Sequence, residues 1–556
     1  MIPSRGGDPP CAWGVYQTCS GEQGTEDFMQ RRSLLRGGAV GIAAAALPRF
    51  SIAQPANARV LRFVPQANLT VLDPIITTAA VTANHAWMVW DTLFGVNTAQ
   101  QVKPQMADGY TVSDDGRTYL IRLRDGLKWH DGEPVRAQDC AQSLARWAAR
   151  DTFGQTAAKV VDAWAAADDR TIKVTLKQPF PLLIEAIAKA DAQIAFMMPE
   201  RLAKTDPFKT ITEIVGSGPY RFVKEEFVAG SSAAWAKFDG YVPRQEPPEW
   251  TSGGKVARLE RIEWKIIPDA ATASAALQNG EVDWYEQVQA DLVPLLKRSS
   301  DITFAASNPQ GYIAGLRFNH LHPPFNDVRM RRAVLTAVNQ ADYMGAITGN
   351  DRSEWRVCRS QFPCGTTYGV EVNLPVQQGD LQAAKALIKE SGYSGQKAVI
   401  INPTDFATIG PLGDISYDMF RKIGINTELV ATDWGSVVQR RTSKEPVEKG
   451  GWSVFHTWFT GGFIINPVVS APFRGQGAAG WFGWYDNPKV EAMTQEWLEA
   501  KDEEARKKIA AAIQQENYQQ VPTVTLGQFQ IPTALRTSLA GRVECSSPLF
   551  WNIRRV

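Results

Sequence analysis

The sequence predicts an α/β protein of more than one lobe, on three observations. The chain has 556 residues, 44% of them hydrophobic, with 18 Trp; that is more than one hydrophobic core usually holds, so two or three lobes are expected. Segments of strand period alternate with segments of helical period along most of its length. In the C-terminal half, residues 398–401, 414–423 and 426–430 read strand, helix, strand, which is the order of a βαβ unit. The charge balance, 59 Lys and Arg against 58 Asp and Glu, argues against a nucleic-acid groove or a polybasic membrane surface.

The N-terminus differs from the rest. Residues 1–28 are rich in Gly, Pro and polar residues, show no apolar period and carry Cys11 and Cys19. They are expected to be a disordered or non-native extension, with Met29 as an alternative start. Then come Arg31-Arg32-Ser33-Leu34-Leu35, a mild apolar run over 37–47, and Ser51-Ile52-Ala53. This is the order of a charged region, an apolar region and a small-x-small cleavage site. The arginine pair looks like a twin-arginine export signal. Residues 29–53 are therefore expected to be a signal segment, with the mature chain starting at Gln54 in the periplasm. No Cys follows the cleavage site, and no later stretch is as long and apolar as a membrane span.

Residues 60–64 read as the first strand, and 68–74 as a polar-apolar loop. Residues 103–147 are the most ordered stretch. Tyr119, Ile121 and Leu123 point one way and Arg122 and Arg124 the other, so 118–123 is a strand with one buried face. Asp114-Asp115-Gly116 turns it back on 110–112 as a hairpin. Trp129-His130-Asp131-Gly132 is a second turn, and Asp139 is expected to cap a helix whose apolar face is Cys140, Leu144 and Trp147. A strand at 171–176 and a helix near 182–190 follow. Gly216-Ser217-Gly218-Pro219-Tyr220 is a Gly-rich turn; it lacks Lys-Ser/Thr and precedes a strand, so it is not a phosphate loop. Residues 259–267 are a strand and 271–277 a helix ended at Gly280. Residues 311–319 read as a crossing strand, and Asp327 caps a helix with Val334, Leu335 and Val338 on its apolar face. Further helices are expected at 381–391 and 490–520, and strands at 452–458 and 523–530. The last strand is expected to return the chain to the first lobe.

One stretch carries a family resemblance. Leu123-Arg124-Asp125-Gly126-Leu127-Lys128-Trp129-His130-Asp131-Gly132-Glu133-Pro134 resembles the signature region of the periplasmic solute-binding proteins of peptide- and nickel-type ABC importers (extracellular solute-binding protein family 5). Asp91-Thr92-Leu93-Phe94-Gly95, the run from Ala276 to Asp283, and 323–339 resemble further elements of the same family. The resemblance covers nearly the whole chain after Gln54. It implies a bilobal α/β clamshell of the periplasmic-binding-protein class (class II-like, cluster C) with an additional small α/β lobe. The implied parts are 54–92, 199–315 and 521–556 for lobe I, 93–198 for the small lobe, and 316–520 for lobe II. It also implies a monomeric receptor that delivers a peptide or peptide-like molecule to membrane permease subunits, without nucleic acid or cofactor. The alternatives are a nickel-type metal or metal-chelate carrier, and a binder of a non-peptide amine, opine or sugar on the same fold.

No G-x-S-x-G, Cys/His or H-E-x-x-H element supports an enzyme. His320-x-His322 is a weak metal signal in a loop, and His130 reads as a hydrogen-bonded turn residue. Cys358 and Cys364 lie beside a bend supplied by Pro363 and Gly365, a spacing that can close a disulfide in an oxidising compartment; a bridge is expected, with two free thiols as the alternative. From the implied fold, the ligand-binding candidates are Trp458, Phe459, Thr460 and Gly461 at the end of a strand, then Trp481 and Trp484, with Asn68 at the cleft edge. Peptide-binding relatives carry an Asp shortly after the equivalent Trp; here 459–467 holds no acid. Dipeptide binders place an Arg near the stretch that here contains Asp405. Asp405 is therefore expected either to face the cleft and favour a cationic solute, or to cap a turn.

Overall fold

Alternating apolar residues build three principal sheets. The structure, a computed structural model, describes residues 59–349, 351–373 and 378–556; the expectations for 1–28, 29–53 and cleavage before Gln54 lie outside these residues. Seven strands form one sheet, in the order Ile302–Ala306, Pro532–Arg536, Trp284–Tyr285, Val60–Val64, Arg261–Lys265, Ser232–Lys237, Tyr220–Phe222. Val60–Val64 is parallel to both its neighbours and the other pairs are antiparallel. Aromatic side chains fill its core. Phe63 meets Trp264 at 5.5 Å, Trp284 at 5.0 Å and Phe550 at 5.0 Å, close to the tilted and edge-on contacts that ring quadrupoles favour.

A six-stranded sheet runs Trp355–Arg356, Thr523–Phe529, Tyr312–Phe318, Val454–Thr460, Ala398–Pro403, Thr427–Thr432. Ala398–Pro403 and Thr427–Thr432 are parallel and joined by the helix Gly410–Ile423, so the strand–helix–strand reading describes a real crossover. The third sheet is antiparallel: Ala107–Val112, Thr118–Leu123, Thr171–Leu176, Val161–Ala166. The helix Ala137–Ala148 packs on it with Cys140, Leu144 and Trp147 buried.

The chain passes between the two large sheets twice, at 307–311 and at 530–531, and the two passes run side by side. The expected boundary between 315 and 316 falls inside the strand Tyr312–Phe318. The strand Thr523–Phe529, expected to return the chain to the first lobe, lies in the six-stranded sheet, and Pro532–Arg536 lies in the seven-stranded sheet with Val60–Val64. Thr523–Phe529 is buried throughout, so its pattern carries no mark of which sheet it joins.

Two helix expectations change. The helix at 490–520 is two helices, Pro488–Glu499 and Glu503–Gln520. Asp502 caps the second by accepting the Ala505 N–H at 2.8 Å, and Ala500 between them is extended. The signature helix starts at Ala137, with Asp139 inside its first turn accepting the Arg136 N–H at 2.9 Å.

The Gly-rich turn is explained by packing. A Cβ at Gly216 would collide with the carbonyl oxygen of Val89, at the end of the helix Ala80–Val89. His130 clamps this turn to the signature segment: its Nε2 donates to the Gly218 carbonyl at 3.0 Å and its Nδ1 accepts the Gly216 N–H at 3.3 Å. Burial lowers its pKa to about 4. Cys358 and Cys364 are joined in a disulfide. No helix among the described residues is long and apolar enough to cross a membrane.

Candidate ligand-binding site

The ends of the two large sheets face a common void that opens to solvent and holds about 50 Å³ of room for water-sized molecules. From the six-stranded sheet come Trp458, Phe459 and Thr460, at the end of Val454–Thr460, and Tyr312, which lies opposite Thr460 in the ladder. Tyr312 packs edge-on against Trp458 at 4.6 Å and holds its hydroxyl 2.9 Å from Ser307 Oγ. The Trp458 indole N–H donates to Thr408 Oγ1 at 3.1 Å. The loop residue Trp481 closes another wall. Its indole N–H donates to Thr78 Oγ1 at 3.2 Å, and the Arg317 guanidinium lies 5.3 Å from its ring centre.

Three buried charged side chains line the same void: Glu286, Asp191 and Arg441. Glu286 follows the strand Trp284–Tyr285. It accepts the Gln66 N–H at 2.8 Å and the Asn84 amide at 2.9 Å. Burial nevertheless raises its pKa from 4.5 to about 7. Asp191 follows the helix Leu183–Ile187; it accepts from Thr460 Oγ1 at 2.9 Å and from Ser546 Oγ at 3.3 Å, and burial raises its pKa. Arg441 closes the helix Trp434–Arg440, and burial lowers its pKa to about 9.

The sequence-based candidates divide. Trp458, Phe459, Thr460 and Trp481 meet at the void. Asn68 and Asp405 line an adjoining space, which shares Gln66 and Phe406 with the main void. Asp405 also accepts the Trp434 N–H at 2.7 Å, so it braces the start of a helix while facing the side space; burial is the main cause of its raised pKa. Gly461 is not on the lining of the main void; it packs against Gln310. Trp484 is buried against Trp452 at 6.0 Å and beneath Lys444. His320 and His322 each approach a backbone carbonyl, of Pro522 and Lys444, at 3.2 and 2.8 Å.

Asp191, Glu286 and Arg441 escape the sequence reading. The acid absent from 459–467 has a spatial counterpart: Asp191 sits against this segment, in room that exists because residue 462 is glycine. A Cβ there would collide with the Asp191 carboxylate. Glu286 leaves one trace, an acid directly after a buried Trp-Tyr strand.

Comparison with known proteins agrees with this architecture. Residues 101–481 match the family model described as "Bacterial extracellular solute-binding proteins, family 5 Middle". The chain is 36% identical over 533 residues, 95% of its own length and 99% of the other's, to a Sinorhizobium fredii protein named "Probable peptide ABC transporter periplasmic-binding protein y4tO". It is 26% identical over 499 residues, 85% of this chain and 90% of the other, to the glutathione-binding protein GsiB of Escherichia coli O1:K1. Among solved structures, a dipeptide-binding protein from Pseudoalteromonas in complex with Met-Leu superposes with a TM-score of 0.74 at 18% identity, over 89% of this chain and 100% of the other. The periplasmic-binding-protein fold and the length of the match lead to one conclusion: this chain belongs to the family 5 bacterial extracellular solute-binding proteins.

Proposed function

We propose that the protein is the periplasmic receptor of an ABC importer, holding a peptide or peptide-like molecule in the void between its two large sheets and presenting it to membrane permease subunits. The observation that carries this reading is the void itself, where aromatic walls from the six-stranded sheet face polar groups from the seven-stranded side. Aromatic walls with a few placed polar groups suit an organic solute of modest size. The names of the relatives, a peptide-binding and a glutathione-binding protein, support the same class.

In this reading the seven-stranded sheet belongs to lobe I, the six-stranded sheet to lobe II and the four-stranded sheet to the small lobe. Trp458, Phe459, Thr460 and Trp481 touch the ligand, and Asn68 and Asp405 border it. The ligand binds the closed arrangement better than the open one, and that difference in affinity is the signal the permease reads. The protein binds and releases; no reaction is assigned to it. It is exported by the twin-arginine segment and acts as a monomer without a cofactor.

A thermal-shift panel on the chain from Gln54 tests the reading, with di- to pentapeptides, amino-acid conjugates, polyamines, sugars and divalent metals. A solute at about 100 times its Kd adds about 2.7 kcal/mol. Peptides are expected to stabilise the protein. Stabilisation by metals or sugars alone would refute the peptide class.

A further inference from the structure

The disulfide is packed against one wall of the void. Cys358 is fully buried in a small apolar cluster with Phe459, Phe463, Ile464 and Phe473, and Cys364 and Trp481 pack against that cluster. Phe459, Phe463 and Trp481 also line the void. Their rings meet one another, with centroids 5.9 Å apart for Phe459 and Phe463 and 5.8 Å apart for Phe459 and Trp481. The same aromatic group thus touches both the ligand space and the cross-linked loop. The loop itself, 358–364, is not part of the void's lining.

No ladder holds this loop. Residues 357–366 form neither helix nor strand, so side-chain contacts and the cross-link set their place. The Cys358 end is firmly tied. The Gln340 amide donates to the Cys358 carbonyl at 2.9 Å and to the Thr525 carbonyl at 3.0 Å, and its oxygen accepts the Cys358 N–H at 2.8 Å. The Cys364 end is half-buried; its N–H donates to Gln528 Oε1 at 2.9 Å, and its carbonyl accepts from the exposed Arg356 side chain. Opening the bond frees Cys364, with Pro363 and Gly365, while Cys358 stays in place. The cluster then loses the packing of one sulfur, and close-packed side chains shift when a neighbour leaves.

We infer that the Cys358–Cys364 bond is a positioning element of the ligand site: it holds Phe459, Phe463 and Trp481 in their binding places, so the affinity of the void depends on the redox state of a loop outside it. This rests on the reading of the void as the ligand site. The chemistry is exchange with a dithiol. One thiolate of the reagent attacks the sulfur of the half-buried Cys364; the S–S bond breaks, and Cys358 leaves as a thiolate that takes up a proton. The reagent's second thiolate displaces Cys364, which is protonated in turn. The reagent ends as its own disulfide, oxidised by two electrons, and the protein as two thiols, reduced by two.

The test is hydrogen exchange read by mass spectrometry on the chain from Gln54, oxidised and after reduction by dithiothreitol, with Cys364→Ser as the permanently open form. Exchange over 459–464 and 480–484 is expected to rise about 10-fold in the reduced protein and in Cys364→Ser, while the strand Arg261–Lys265 keeps its parent rate. Re-oxidation should restore the parent pattern, and Cys364→Ser should not respond to dithiothreitol. Calorimetric titration with Ala-Phe reads the consequence, about 10-fold weaker binding after reduction, because a loosened wall must be ordered again by the solute. A rise in exchange confined to 357–366, or one spread equally over the whole protein, would overturn the inference, since the bond would then be a local or a global staple. Unchanged affinity for Ala-Phe on reduction would overturn it too. If Ala-Phe binds neither form, it is the peptide class in the receptor reading that fails, and the exchange pattern still decides the role of the disulfide.

Discussion

Replacing Glu286 by Gln should stabilise the ligand-free protein, and by an amount that depends on pH. The carboxyl is buried and titrates near 7 in the fold against an ordinary 4.5. Between those values the folded chain keeps a proton that the unfolded chain has released, so stability falls as the pH rises through the window and levels off above it. The cost of ionising Glu286 is about 3 kcal/mol at pH 8 and under about 1 kcal/mol at pH 5. Gln removes that cost and keeps the shape: its oxygen can accept the Gln66 N–H, and its amide can donate to Asn84 once that side chain turns over. The other titratable groups facing the void do not reproduce the effect. Tyr312 has its phenol pushed up by burial and stays neutral throughout. Asp191 is raised as well but is present in both proteins, so the comparison cancels it.

The variant should therefore gain about 2–3 kcal/mol more at pH 8 than at pH 5. Unfolding entropy for a unit the size of Gln54–Val556 is about 1 kcal/mol per kelvin, so the difference is about 2–3 °C in Tm. Differential scanning calorimetry of both proteins at pH 5 and pH 8, without ligand, reads it directly. An equal Tm difference at the two pH values, or a variant less stable than the parent at pH 8, would refute the reasoning.

Three further outcomes are expected. Gly216→Ala drives a methyl into the Val89 carbonyl and should cost about 3 kcal/mol, read as a lower denaturant midpoint; no loss would mean the turn can move away from the helix. Replacing both Cys358 and Cys364 by Ser opens a loop with a sequence separation of 6 and should cost about 2 kcal/mol, while mass analysis of the parent under non-reducing conditions shows no free thiol at either position. Asp405→Ala should cost about 1 kcal/mol through the lost acceptor for the Trp434 N–H, whereas Asp405→Asn keeps that acceptor and should stay within about 0.5 kcal/mol of the parent; equal losses in the two would show that the charge, not the bond, is what the fold uses.

What could be read from the sequence follows from how local the determinant is. The hairpin at Thr118–Leu123 was legible because one face is buried and the other exposed, and because Asp114-Asp115-Gly116 closes it within a few residues. Asp327 was legible as a cap since the bond it makes is to Arg329, two residues on. The break at Ala500 was legible in principle: Asp502 followed by Glu503 and Glu504 is a helix start, hidden inside a long charged run. The sheet that receives Thr523–Phe529 was not legible, because a strand buried on both faces has no alternation to orient it. The charged lining of the void was the least legible. Asp191, Glu286 and Arg441 come from three distant segments, and among the described residues the side-chain hydrogen-bond partners of each are neutral groups. Asp405 was singled out for being an acid near an expected site, yet its first partner is the N–H of Trp434.

The two side-by-side passes between the large sheets have a mechanical consequence. Two neighbouring peptide strands, tied by a ladder on either side of the gap, resist stretching and sliding because either motion would break those ladders. Bending across both at once breaks none, so it is the soft coordinate. The pair acts as a strap hinge with one easy angle, and whatever fills the void is translated into that single angle.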